Sequence, residues 1–124
     1  MRIVFPTDDG LSINPSFGQA QYYLFVTVDE NGAETGREQL PKPNHSGGHH
    51  HHGEHHGPPK GVFAPLKECQ TVISGGIGEA GFRAITNMEL NFILTPERSI
   101  NVALAAYLNN TLQHVPSLVH RHKH

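Results

Sequence analysis

The chain has no tryptophan and a single cysteine, Cys69, so no internal disulfide can form. Such cysteine usage fits a reducing compartment, and a cytoplasmic domain is the expectation. Charge is also scarce. Charged residues make up 16% of the chain and leave a formal net charge of −2 with neutral histidines. That balance offers no electrostatic attraction to nucleic acid or an anionic membrane, so neither is expected as a partner. No apolar run approaches the roughly 20 residues that a membrane span requires. The opening Met1-Arg2-Ile3-Val4-Phe5-Pro6 enters a strand pattern directly, without the apolar region of a signal peptide. At 124 residues there is room for one domain and one core.

What is abundant is histidine. Eleven are present, and seven of them (His45, His49, His50, His51, His52, His55 and His56) fall in one twelve-residue stretch broken by Gly, Ser and Glu. Neutral imidazole is the commonest protein ligand for zinc, nickel, copper and iron, so this stretch is a candidate site for a divalent transition metal. It holds no apolar residue to offset the entropy of ordering, which makes residues 43–59 a flexible loop by composition. The end of the chain, His120-Arg121-His122-Lys123-His124, places three more histidines at alternate positions. An extended chain would put them on one face, although a solvated tail over 113–124 is the simpler expectation.

The remaining residues alternate between strand and helix patterns. Arg2 to Phe5 reads as a strand closed by Pro6 and a turn-rich Thr7-Asp8-Asp9-Gly10, and Gln21 to Val28 as a second strand. Asn31-Gly32 marks a hairpin turn into a weaker strand over 35–39. Val62, Phe63 and Leu66 recur at helical spacing, Gln70 to Ser74 forms a buried-type strand, and Phe82 and Ile85 share a helix face over 79–88. Asn91 to Thr95 gives another strand. Ser99 caps a last helix whose apolar face carries Ile100, Ala103, Leu104, Tyr107 and Leu108 before Asn109-Asn110 stops it. The order β-β-β-α-β-α-β-α predicts an α/β domain: a mixed sheet flanked by helices, with parallel strands in its second half.

Between a buried strand and a helix lies Gly75-Gly76-Ile77-Gly78-Glu79-Ala80-Gly81. Its glycines let backbone approach a ligand, and free N–H groups at a helix start favour an anion. Gly76, Gly78 and Gly81 also match the GxGxxG dinucleotide pattern, with Glu97 at the expected distance, but that unit opens its fold and here three strands precede it. Asp8 and Asp9 sit where functional carboxylates occur, yet Asp-Asp-Gly is explained by turn chemistry. Cys69, between a helix and a buried strand, reads as a small packed hydrophobe.

Taken together these residues resemble the dinitrogenase iron-molybdenum cofactor biosynthesis family. The likeness runs from Ile3 to about Leu112, in four blocks: Ile3 to Gly10, Ser16 to Ala20 leading into the second strand, Leu66 to Gly78, and Ala103 to Leu112. It implies a ribonuclease-H-like fold, a five-stranded mixed sheet with one antiparallel strand flanked by three helices, in a single domain over 1–112. It implies non-enzymatic binding or carriage of an iron-sulfur or iron-molybdenum cluster, with cofactor-assembly proteins as partners. The binding region it implies comprises Phe17, Gly18, Gly75, Gly76, Ile77 and Gly78. Many family members have His before the Phe-Gly pair, where this chain has Ser16. The resemblance therefore leaves the His45–His56 segment as a source of the missing imidazole, or Cys69 as a source of one thiolate, short of the four that a conventional cluster takes. The alternative reading is a zinc, nickel or copper buffer or metallochaperone in which the histidine segment is the whole function, and a third is a small metal- or nucleotide-dependent enzyme built on the Asp8/Asp9 end of the sheet.

Overall fold

Period-2 alternation in the apolar strands predicts two buried faces, and the computed structural model shows both. It describes residues 1–43 and 61–120, apart from the side chain of His120; His45 to His56 and residues 121–124 lie outside the described residues. The strands are β1 (Arg2–Thr7), β2 (Tyr22–Val28), β3 (Glu34–Pro41), β4 (Thr71–Ser74), β5 (Ile77–Gly78), β6 (Asn91–Leu94) and β7 (Val119–His120). Two α-helices, α1 (Glu79–Asn87) and α2 (Ile100–Leu108), and a 3-10 helix over Gly61–Glu68 complete the main frame. Five strands form one sheet in the order β3-β2-β1-β4-β6. Strand β2 is antiparallel to both neighbours, whereas β1, β4 and β6 run parallel. The expected mixed sheet with one reversed strand is therefore present.

Alternate residues divide between two cores. Ile3 and Phe5, Leu24, Val26 and Val28, and Ile73 meet Ile100, Ala103 and Leu104 of α2 on one face. Val4, Tyr23, Phe25 and Val72 meet Leu66 of the 3-10 helix and Ile85 of α1 on the other. Strand β1 lies at the centre, with Ile3, Val4 and Phe5 fully buried. The edge strand β3 is exposed along its length and tolerates Pro41 because its outer side has no ladder to complete.

Local chemistry sets the joints. The β2–β3 turn uses Gly32 at φ 84°, and the Asp29 carboxylate accepts from the Asn31 and Ala33 amides. Ser99 caps α2 by accepting from the Val102 amide at 3.2 Å, and Asn110 beyond its end takes the left-handed conformation at φ 63°. The first expected α-helix is instead the 3-10 helix Gly61–Glu68. Pro65 in its middle has no N–H and its ring would clash with the carbonyl four residues back in α geometry. Residues 113–120, read from sequence as part of a tail, contribute structure. Val119 is buried, and β7 pairs in parallel with β5 to make a small second sheet.

Candidate functional site

The site grows from two loops that lock together. Asn14 Oδ1 accepts from the Ser16 amide at 2.7 Å, the Gly76 amide donates to the Pro15 carbonyl at 2.6 Å, and the Phe17 amide donates to the Gly76 carbonyl at 2.7 Å. The fit leaves no room at Gly75, where a Cβ would lie 2.7 Å from the Asn14 carbonyl oxygen and 2.7 Å from the Pro15 Cα. This lock seats the short 3-10 turn Phe17–Gln19 and buries the Phe17 ring. Phe63 stacks near it, with ring centroids 5.9 Å apart and planes 13° from parallel. Tyr23 donates its hydroxyl to the Val62 carbonyl at 2.7 Å and so pins the start of the 3-10 helix to the sheet.

A cavity of about 250 Å³ opens beside these rings, lined by Phe17, Gly18, Lys42, Val62, Phe63, Ile77, Gly78 and Gly81. Phe17, Gly18, Ile77 and Gly78, which the family resemblance singled out, come together here. Gly75 and Gly76 do not line it; they are the backbone of the lock and face a smaller cavity of about 90 Å³ with Pro15, Thr95, Pro96 and Arg98. The seven histidines of the His45–His56 segment lie outside the described residues. The two flanks of that segment do not: Lys42 on one side and Val62 and Phe63 on the other both line the cavity.

Lys42 is the residue that sequence reasoning missed. Its ammonium donates to the Phe17 carbonyl at 2.6 Å and sits 4.8 Å above the Phe17 ring and 5.6 Å from that of Tyr23. Burial pulls its pKa down to about 8, against an opposing pull from the Asp8 carboxylate. The sequence signal was the bracketing Pro41-Lys42-Pro43, two fixed φ angles around one charge at a strand end.

The other candidates are accounted for. The Asp9 carboxylate accepts from the Leu11 and Ser12 amides at 2.8 Å each, which hold its pKa below the usual value. Asp8 accepts from the Gln21 amide and the Asn14 side chain at 2.9 Å each, so it ties the turn to the start of β2, whereas the local turn bonds belong to Asp9. Cys69 is buried, donates to the Leu66 carbonyl at 3.2 Å, and has its thiol pushed up to about 11 by desolvation. It does not line the cavity and is a poor source of thiolate. Among the described residues no group of three or more His, Cys, Asp or Glu converges to hold a metal ion. Nor is any helix among them long and apolar enough to cross a membrane.

An open mixed sheet between helices defines an α/β domain of a type that known structures share. The protein PH0822 superposes with a TM-score of 0.72 at 16% identity, over 95% of this chain and 99% of that one. MJ0327 of Methanocaldococcus jannaschii, assigned provisionally as a dinitrogenase, gives 0.69 at 16% identity over 93% and 94%. The solution structure of the same protein gives 0.69 at 15% identity over 93% and 92%. At these identities the likeness concerns the fold. No curated protein matches the sequence. The sequence pattern of the dinitrogenase iron-molybdenum cofactor family matches residues 1–110, and the chain belongs to that family.

Proposed function

We propose that this protein binds and carries an iron-sulfur or molybdenum-containing cluster as cargo, without catalysing a reaction on it. The observation that carries the reading is the meeting of the Phe17-Gly18 turn and the Ile77-Gly78 strand at one cavity, in a chain of this family. Strand order with β2 alone reversed supports the ribonuclease-H-like label.

The donor set of the cavity defines how such a cargo would be held. Its described lining offers rings, aliphatic groups, glycine backbone and one ammonium, but no thiolate, imidazole or carboxylate. These residues suit an apolar cradle with a counter-charge and do not suit coordination. Coordinating ligands would come from His45, His49, His50, His51, His52, His55 and His56, whose segment is flanked by cavity residues on both sides. In this reading the segment supplies the imidazole that Ser16 does not. Cofactor-assembly proteins would be the partners, in the cytoplasm.

Anaerobic incubation with a cluster source, followed by visible absorption and metal analysis, tests the proposal. Retained iron or molybdenum is the expected result, and its absence overturns the reading. The concentration of seven histidines in one twelve-residue segment favours one alternative, a zinc, nickel or copper buffer made by that segment alone. Filling the cavity separates the two: Gly78→Leu leaves the zinc, nickel or copper binding of a buffer intact, and lowers the iron or molybdenum that a cluster carrier retains.

A further inference from the structure

The described lining of the cavity carries one charge, the Lys42 ammonium. Every described lining residue except Lys42 is neutral: two phenylalanines, a valine, an isoleucine and three glycines. The ammonium is half-buried, and its partners in the site among the described residues are also neutral, one carbonyl oxygen and two ring faces. A cation desolvated among neutral groups is under-compensated, because a carbonyl and ring faces recover less of its hydration than an anion would. One hydrogen bond to Phe17 leaves further N–H donors on the same nitrogen. At Gly18 and Gly78 an added Cβ would meet nothing within 4 Å, so a guest can approach the backbone there.

We propose that the cavity is an anion-selective site in which Lys42 chooses the charge of the guest, while Phe63, Val62 and Ile77 hold its apolar body. The guest class is a compact, weakly hydrated anion. The site takes such an anion whether or not it contains a metal, so the proposal rests on the cavity and extends beyond cluster carriage. Lys42 pairs directly with the anionic group through the N–H donors that the Phe17 carbonyl leaves open. Among the described residues the charged or titratable groups near it are Asp8 at the end of β1, which competes with a guest, and the Tyr23 hydroxyl, which burial keeps protonated.

Two fluorescent probes of one shape decide the matter: 8-anilinonaphthalene-1-sulfonate, an anion, and N-phenyl-1-naphthylamine, its neutral counterpart. The full chain should bind both in competition and prefer the anion. Lys42→Met should weaken the sulfonate about tenfold, the scale of one charge-assisted hydrogen bond, and leave the neutral probe unchanged. Lys42→Arg should restore the preference. Equal losses for both probes, or no loss of the sulfonate, overturn the proposal. Should Lys42→Met fail to fold, the unmodified protein still decides. Its preference for the sulfonate should fall between pH 7 and 9.5 as Lys42 discharges, and a constant preference overturns the assignment. Cluster loading plays no part in these readouts, so failure to retain a cluster and failure to select an anion are separate results.

Discussion

Gly75 and Gly18 are the same residue under opposite constraints. A methyl group at Gly75 would press on the backbone of Asn14 and Pro15, which cannot rotate away, whereas at Gly18 it would meet open space. Gly75→Ala should therefore lower unfolding free energy by about 2 kcal/mol in a denaturant titration, the usual cost of overpacking, with Gly18→Ala near neutral. Cys69 should react with iodoacetamide at pH 8 at least ~100-fold more slowly in the folded protein than in denaturant, because a thiol pushed up to about 11 carries so little thiolate. Lys42 makes a pH prediction of definite sign. Its folded value of about 8 lies below the ordinary 10.5, so between the two the unfolded chain binds the extra proton. The cost of burying the ammonium is fully present below about pH 8 and relieved as pH rises. The stability of Lys42→Met relative to the unmodified protein should consequently fall from pH 8 to 10.5 in paired denaturant titrations. The packed Cys69 was legible in the sequence, but the role of Lys42 was not, since beyond its bracketing prolines it is one basic residue among nine. Its meaning comes from the carbonyl and ring of a residue 25 positions away.

At the scale of elements, legibility followed the distance over which an element finds its partner. The long strands β1 and β2 and the helix α2 declare themselves through local alternation or helical spacing, and Asn31-Gly32 and Ser99 mark their ends. Strands β5 and β7 are two residues each and exist only because Ile77 and Gly78 meet Val119 and His120. No local pattern encodes a pairing across forty residues. The same limit hid part of the site: Val62 and Phe63 were visible as an apolar helix face, but not as a cavity wall. The small sheet should be a distinct unit of stability. Removing residues 116–124 should abolish the slow hydrogen exchange of the β5–β7 ladder while leaving the β1–β2 amides protected, as amide exchange followed by NMR would show.

The whole molecule is two cores on either side of one sheet, with β1 in the middle of both. Phe5→Ala should cost about 3–5 kcal/mol in denaturant titrations, since its ring is fully buried against β2, β4 and α2. The histidine segment stands in the opposite relation to stability. Its flanking residues share one cavity wall, so deletion of residues 45–56 should change unfolding free energy by no more than ~1 kcal/mol, because loop-closure entropy varies only slowly with length.

The β5–β7 clasp also orders events in time. The five strands of the main sheet are complete once Leu94 has been made, and α2 is complete at Leu108. The Ile77-Gly78 wall gains its brace only when Val119 and His120 follow. A nascent chain can thus own a finished sheet while the wall that carries Ile77 and Gly78 is still unbraced, and the cavity beside it takes its shape last.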